Sequence, residues 1–365
     1  ARIGDFSTES LMIEKDSTGT VWAAWTQSTR VRIAHTLASD TSWSSSIVLP
    51  PNTANLNVDD ICALVRFNGD RIGVVWSDQV VNAYRFSFHI DGAADTAWSA
   101  AENATTGETD DHMNLAADST GRVFLAGKNA GNEQLLLVRS SGGSWSRFVV
   151  STPSPIRTRP IVVLNEQANR IHIFATGQDT GEVFEKTSAL NSISFPSGNG
   201  TIVLRDSSTV FRISDPTSTK QNIDGSTGLV VLAHHDTTGF YWHHEVAPLV
   251  AGFGASPTTG TAPLNVTFTD SSTGSINSRS WDFGDGGTST ATSPSHSYAA
   301  GTFTVSLTVT GPGGSDTETK TNFIVVSPAS TAPVAAFSAS PTTGTAPLNV
   351  TFTDASTGTI NSRSW

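Results

Sequence analysis

One cysteine and two methionines in 365 residues, no basic block and no long apolar run: what this chain lacks narrows it before any motif is read. Lys and Arg number 21 against 32 Asp and Glu, giving a net charge of −11 with no local cluster of cations, so nucleic acid is not an expected partner. No stretch approaches the ~20 apolar residues of a membrane-spanning helix. The chain opens on ARIGDF, without the basic start and apolar core of a signal peptide, so any export signal is expected to have been removed already. The lone Cys62 excludes an internal disulfide and, inside the apolar run ICALVRF, reads as a small buried hydrophobe rather than a nucleophile. Only 15% of residues are charged, and no extended helical periodicity is visible.

What remains is a vocabulary of short Val- and Ile-containing runs separated by Gly, Ser, Thr and Asn, which points to an all-β chain. The length calls for two or three domains, and two kinds of repeat divide it. PTTGTAPLNVTFTDSSTGSINSRSW at 257–281 returns 84 residues later, at 341–365, with changes only at Ser271/Ala355 and Ser275/Thr359. Such near-identity marks tandem modules. The first copy continues through WDFGDGG (281–287) into a segment in which Phe303, Val305, Leu307 and Val309 alternate with polar residues, the pattern of a half-buried strand. These residues strongly resemble the PKD (polycystic kidney disease) domain, which implies an immunoglobulin-like β-sandwich used as a spacer in extracellular and surface proteins. The likeness covers about 250–328 and again 333–365, and implies further PKD modules as neighbours in the same protein. Asp282 and Asp285 sit beside glycines and read as turn-forming carboxylates, and His296 reads as structural. No cofactor is expected, although a structural cation such as calcium is compatible with these carboxylates.

The first 250 residues repeat more faintly. DSTGTVWAAW (16–25), NGDRIGVVW (68–76), DSTGRVFLAG (118–127), QANRIHIFA (167–175) and GSTGLVVLA (225–233) each set a Gly- or Asn-containing turn before an apolar strand, at the ~40–50-residue spacing of propeller blades. Trp43, Trp98, Trp145 and Phe195 mark a fourth strand in four units, and the fifth has none. The N-terminal ARIGDFST is expected to supply it, because a ring closed by both termini leaves no open edge. The expected architecture is a five-bladed β-propeller over 1–248, with the N-terminal strand closing the last blade. Immunoglobulin-like PKD β-sandwich modules follow at 249–328 and, as the start of a second, at 329–365.

In such a ring the segments leading into the first strand of each blade converge at one end of the channel. They are FSTES (6–10), NLNVDD (55–60), GETDDH (107–112), SPIRTRP (154–160) and SDPTSTKQN (214–222), joined by the loops KNAGNE (128–133) and HHDTTG (234–239). Glu9, Asp59, Asp60, Asp110, Asp111, His112, Arg157, Arg159, Lys220 and His235 are thereby expected on one face. Loop charges often do no more than pair with one another and with water. A binding reading gives Asp59, Asp60, Asp110, Arg157, Lys220 and His235 to a polysaccharide or surface glycan, since carboxylates suit sugar hydroxyls and arginine suits an acidic group. A catalytic reading makes His112 an acid or base oriented by Asp111, with Arg159 neutralising a substrate carboxylate. No metal site is expected: adjacent His234 and His235 point to opposite faces, and His243 with Glu245 would give only two ligands.

The segment DDHMNLAADSTGRVFLA resembles part of the BNR-type propeller polysaccharide lyases, which implies lyase chemistry, although no partnering tyrosine is identifiable. The wider stretch 107–245 looks like bacterial secreted propeller proteins of unassigned activity. The expectation is therefore a secreted or cell-surface bacterial or archaeal protein whose propeller binds a glycan. A polysaccharide lyase, a glycoside hydrolase working through Asp60 and Asp111, and a structural surface-layer or filament subunit are the alternatives.

Overall fold

A computed structural model of the chain describes residues 11–37, 39, 41–52, 54–178, 180–205, 213–224, 227–311 and 314–365. The Asp-Ser-Thr-Gly turns explain how its strands are joined. Asp16 Oδ1 accepts from the backbone N–H of Thr18 and of Thr20, both at 2.9 Å, and Asp118 Oδ1 accepts from Thr120 and Arg122 at 3.1 and 2.9 Å. An Asp side chain thus satisfies the donors that a tight turn leaves over. Gly19 and Gly121 complete these turns at φ +95° and +84°, where a side chain would be strained.

Each turn joins two strands of an antiparallel meander. Successive sheets contain β1–β4 (Leu11–Lys15, Val21–Gln27, Arg30–His35, Ile47–Val48), β5–β8 (Cys62–Phe67, Arg71–Asp78, Ala83–Ile90, Glu102–Asn103) and β9–β12 (Met113–Ala117, Val123–Lys128, Gln134–Arg139, Trp145–Ser151). Two more follow, β13–β16 (Arg157–Asn165, Arg170–Gly177, Val183–Ala189, Thr201–Leu204) and the three-stranded β17–β19 (Ile213–Thr217, Leu229–His235, Tyr241–Val246). Strands pair in sequence order within every sheet, and the first strands of neighbouring sheets lie beside one another. No helix occurs among the described residues.

The cores lie between the sheets. Trp22 and Ile33 meet Leu64 and Trp76; Phe86 and Val65 meet Leu115 and Leu137; Phe124 and Leu136 meet Val162 and Ile173; Phe174 and Val183 meet Leu229 and Val231. The remaining face of the first sheet is covered as well, with Ala23, Trp25 and Ala34 buried. Four-stranded meanders packed face to face in series, each inner strand beside the next, make a β-propeller. The strand expected from ARIGDFST to complete the fifth sheet lies outside the described residues. Cys62 is fully buried, and burial pushes its thiol up to about 12, as expected of an inert core cysteine.

The chain divides into two compact units, Ala1–Leu249 with Gly311–Ser315, and Val250–Thr310 with Asp316–Trp365. In the second, a sheet of β20 (Phe253–Ser256), β22 (Leu264–Asp270) and β25 (Ser295–Tyr298) is accompanied by one of β21 (Thr259–Thr261), β27 (Gly314–Ser327), β26 (Gly301–Gly311), β23 (Ser278–Asp282) and β24 (Thr288–Ser289). Phe268, Trp281, Val305, Leu307 and Val309 are fully buried. The second copy contributes β28 (Phe337–Ser340) and β29 (Thr351–Asp354), paired antiparallel, and there Trp365 is 72% exposed where its counterpart Trp281 is 0%.

Candidate functional site

The segment leading into β9 carries the densest cluster of ionisable groups. His112 Nδ1 lies 2.7 Å from Asp110 Oδ1 and 2.6 Å from Asp111 Oδ1, so two consecutive carboxylates converge on one imidazole nitrogen. Lys128, at the end of β10, places its ammonium 3.4 Å from Asp110 Oδ2. Beneath them the Tyr84 hydroxyl, from the neighbouring sheet and fully buried, donates to the carbonyls of Lys128 at 2.7 Å and His112 at 3.2 Å. Gly127 is required there, because a Cβ would come within 3.0 Å of that hydroxyl.

The electrostatics follow from this arrangement. Burial by itself would lower His112, but hydrogen bonds from its ring to Asp110 and Asp111, together with their charges, outweigh burial and raise it to about 9. Burial raises Asp110 against the opposing bond to His112, whereas that same type of bond holds Asp111 well below the usual carboxylate range. The ligand atoms of the three residues lie within 4.8 Å of one another, a spacing that would suit a cation. The Lys128 ammonium and the occupied Nδ1 already answer that negative charge, so the donor set does not fit a resident metal.

The other residues expected on this face make their contacts outside that cluster. Asp60 is 1% exposed and accepts from the N–H of Asn57 at 2.8 Å and of Gln79 at 3.3 Å, which makes it a support for its own turn; burial raises it despite those bonds. Asp59 is half-buried in the same turn. His235 is buried against Trp242, with ring centroids 5.9 Å apart. Arg159 pairs at 2.5 Å with Asp215 of the fifth sheet, not with the His112 cluster. Arg157, two residues earlier, is 2% exposed and lies over the Phe184 ring at 4.2 Å. Glu9 lies outside the described residues.

Lys220 is where the structure departs most from the expected layout. SDPTSTKQN does not lead into an inner strand; its first four residues belong to β17 itself, and the rest runs out of that strand's far end. Lys220 Nζ donates to the Ile13 carbonyl of β1 at 2.9 Å, tying the fifth sheet to the first, while Asn222 donates to the Ala117 carbonyl at the end of β9. Pro216, without an N–H, and Asp215, at φ 54°, interrupt the β17 ladder between Ser214 and Thr217, so its sequence lacks the alternation of a strand. Two participants are not singled out by the sequence, Lys128 and Tyr84. Each joins the cluster from a different strand, and only the position of KNAGNE as a facing loop hinted at the first.

In the second unit, the WDFGDGG turn is built from its own side chains. Asp282 and Asp285 accept from the N–H of Gly284 and Gly287, each at 2.9 Å, and His296 Nε2 meets Asp285 at 2.7 Å while its ring stacks on Phe283 at 4.2 Å. The PKD domain family matches residues 245–326. The PKD1 domain of Vibrio anguillarum Epp is 37% identical over 21% of this chain and 94% of its own, with a TM-score of 0.19. The region before the PKD domain is similar to a GH43 endo-arabinanase from Bacillus licheniformis, 15% identical over 64% of this chain and 92% of that one, TM-score 0.38. It is also similar to the Aleuria aurantia lectin, 12% identical over 65% and 77%, TM-score 0.44. Among curated proteins nothing matches.

Proposed function

We propose that the propeller is a glycan-binding module of an extracellular or cell-surface protein, that its recognition centre is the cluster of Asp110, Asp111, His112 and Lys128, and that the PKD domain serves as a spacer. The observation that carries this reading is the double engagement of His112 Nδ1 by two carboxylates. It yields a fixed imidazolium with Nε2 free of protein hydrogen bonds among the described residues, flanked by carboxylate acceptors that are 17 and 31% exposed. Donors and acceptors held side by side at a partly open rim suit the paired hydroxyls of a sugar.

The same geometry weighs against catalysis. A general base must be unprotonated near the working pH, and His112 keeps its proton up to about 9, so of the two catalytic roles only that of an acid is left to it. The Asp60–Asp111 pair of a glycoside hydrolase is disfavoured too, because Asp60 is 1% exposed and its carboxylate accepts from Asn57 and Gln79 in its own turn instead of facing a substrate. The test is titration of the protein with neutral and acidic polysaccharides, following heat alongside release of reducing ends and unsaturated uronates. Saturable binding without turnover, weakened about tenfold or more in His112→Ala, is the expected result. Turnover abolished by His112→Ala would replace this reading with an enzyme, a lyase if unsaturated uronates appear.

A further inference from the structure

Among the described residues, Arg157 is a buried cation without an anion. It opens β13 at the end that corresponds to the end of β9 into which His112 leads, and register pairs it with Gly177. The guanidinium comes to rest over Phe184, and both Nε and Nη2 are buried without a hydrogen-bond partner. That edge is the one this protein uses elsewhere to grip carboxylates. Arg139 holds Glu102 through Nε and Nη2 at 2.7 and 2.6 Å, and Arg147 holds Glu108 through the same pair at 2.6 and 2.8 Å.

The surroundings deepen the deficit. Lys186, on the same face of the sheet, feels the positive charge of Arg157, and its ammonium is answered only by the carbonyls of Pro196 and Gly198, at 2.5 and 2.9 Å. Thr180 Oγ1, beside Gly177, is buried and unpartnered too. So is Nε2 of Gln134, whose alternation with Leu136 and Val138 turns it toward this sheet. An unpaired buried charge is destabilising by several kcal/mol, and a planar anion with two oxygens would meet the fork directly.

We propose that Arg157 anchors a carboxylate-binding site, and that the carboxylate is that of a uronic acid residue in the glycan; the second half rests on the glycan reading above. In this arrangement the carboxylate meets the Nε–Nη2 edge of Arg157, and the sugar ring lies toward the entry ends of β9 and β13, the end of β9 from which Asp110–His112 lead in.

The test uses the full chain with three probes: oligogalacturonate, the same oligosaccharide methyl-esterified, and acetate. Oligogalacturonate is expected to bind at least about tenfold tighter than the ester, and Arg157→Gln to erase that preference. Acetate should raise the thermal midpoint of the wild type and not of the variant. Because Arg157→Gln removes an unpaired buried charge, its ligand-free midpoint should equal or exceed that of the wild type, which separates a lost site from a lost fold. Equal binding of both oligosaccharides with no acetate response overturns the carboxylate site and leaves the glycan reading standing. An Arg157-dependent acetate response without any oligosaccharide binding upholds the anion site and overturns the uronate and the glycan reading together. No response to any probe overturns both.

Discussion

Two carboxylates on one imidazole nitrogen set the charge of His112 across the neutral range, and this has a consequence for stability. The folded protein holds the proton to about 9 against an ordinary value of 6.5, so the contribution is fully present below 6.5 and is lost as pH rises through about 9. The thermal midpoint of the wild type should therefore fall relative to His112→Gln between pH 6.5 and about 9, and the two curves should run parallel at lower pH down to the range where Asp110, raised by burial, takes up its proton. Adjacent Asp110, Asp111 and His112 were legible as a group because sequence neighbours stay neighbours. The partners of Arg157 and Arg159 were not: Arg159 adopts φ 51° and turns to Asp215, while Arg157 goes inward, a difference between residues two apart that alternation along a regular strand would not allow. A register shift between Thr158 and Ile161 breaks that alternation here.

At the level of the hairpin, the Asp-led turns do more than reverse the chain. Asp118 takes the N–H of Thr120 and of Arg122 on Oδ1 and the Arg122 guanidinium on Oδ2 at 2.6 Å, so one side chain closes the β9–β10 turn and neutralises its own charge. Asp118→Ala leaves those donors without partners in a turn whose Asp is 5% exposed; the expected loss is roughly 1–3 kcal/mol, read as a lower urea midpoint with an unchanged slope. These turns were the most readable elements in the chain, since the chemistry that shapes them lies within five residues. The fifth sheet was the least readable. Its inner strand carries Asp-Pro at its centre, so a strand was taken for a loop and Lys220 was expected at the wrong end of the ring.

Across the whole molecule, the propeller was legible through its spacing of about fifty residues, and the PKD domain through its motifs. The packing between sheets was legible only as a list of apolar positions, because which blade face meets which depends on the ring and not on any local pattern. The repeated segment carries a further consequence. LNVTFTD occurs at 264–270 and again at 348–354, and the first of these pairs with β25, Leu264 against Tyr298 and Val266 against His296. The second carries the same seven residues, so competition for β25 while this chain refolds is a testable expectation. Phe352→Glu should therefore leave the native midpoint of the PKD domain nearly unchanged while raising the yield and rate at which Trp281 fluorescence recovers on refolding; an unchanged recovery would refute competition between the copies. Were the copies to compete, diluting this chain would not suppress the error as it would suppress aggregation, because the rival segment travels on the same polypeptide.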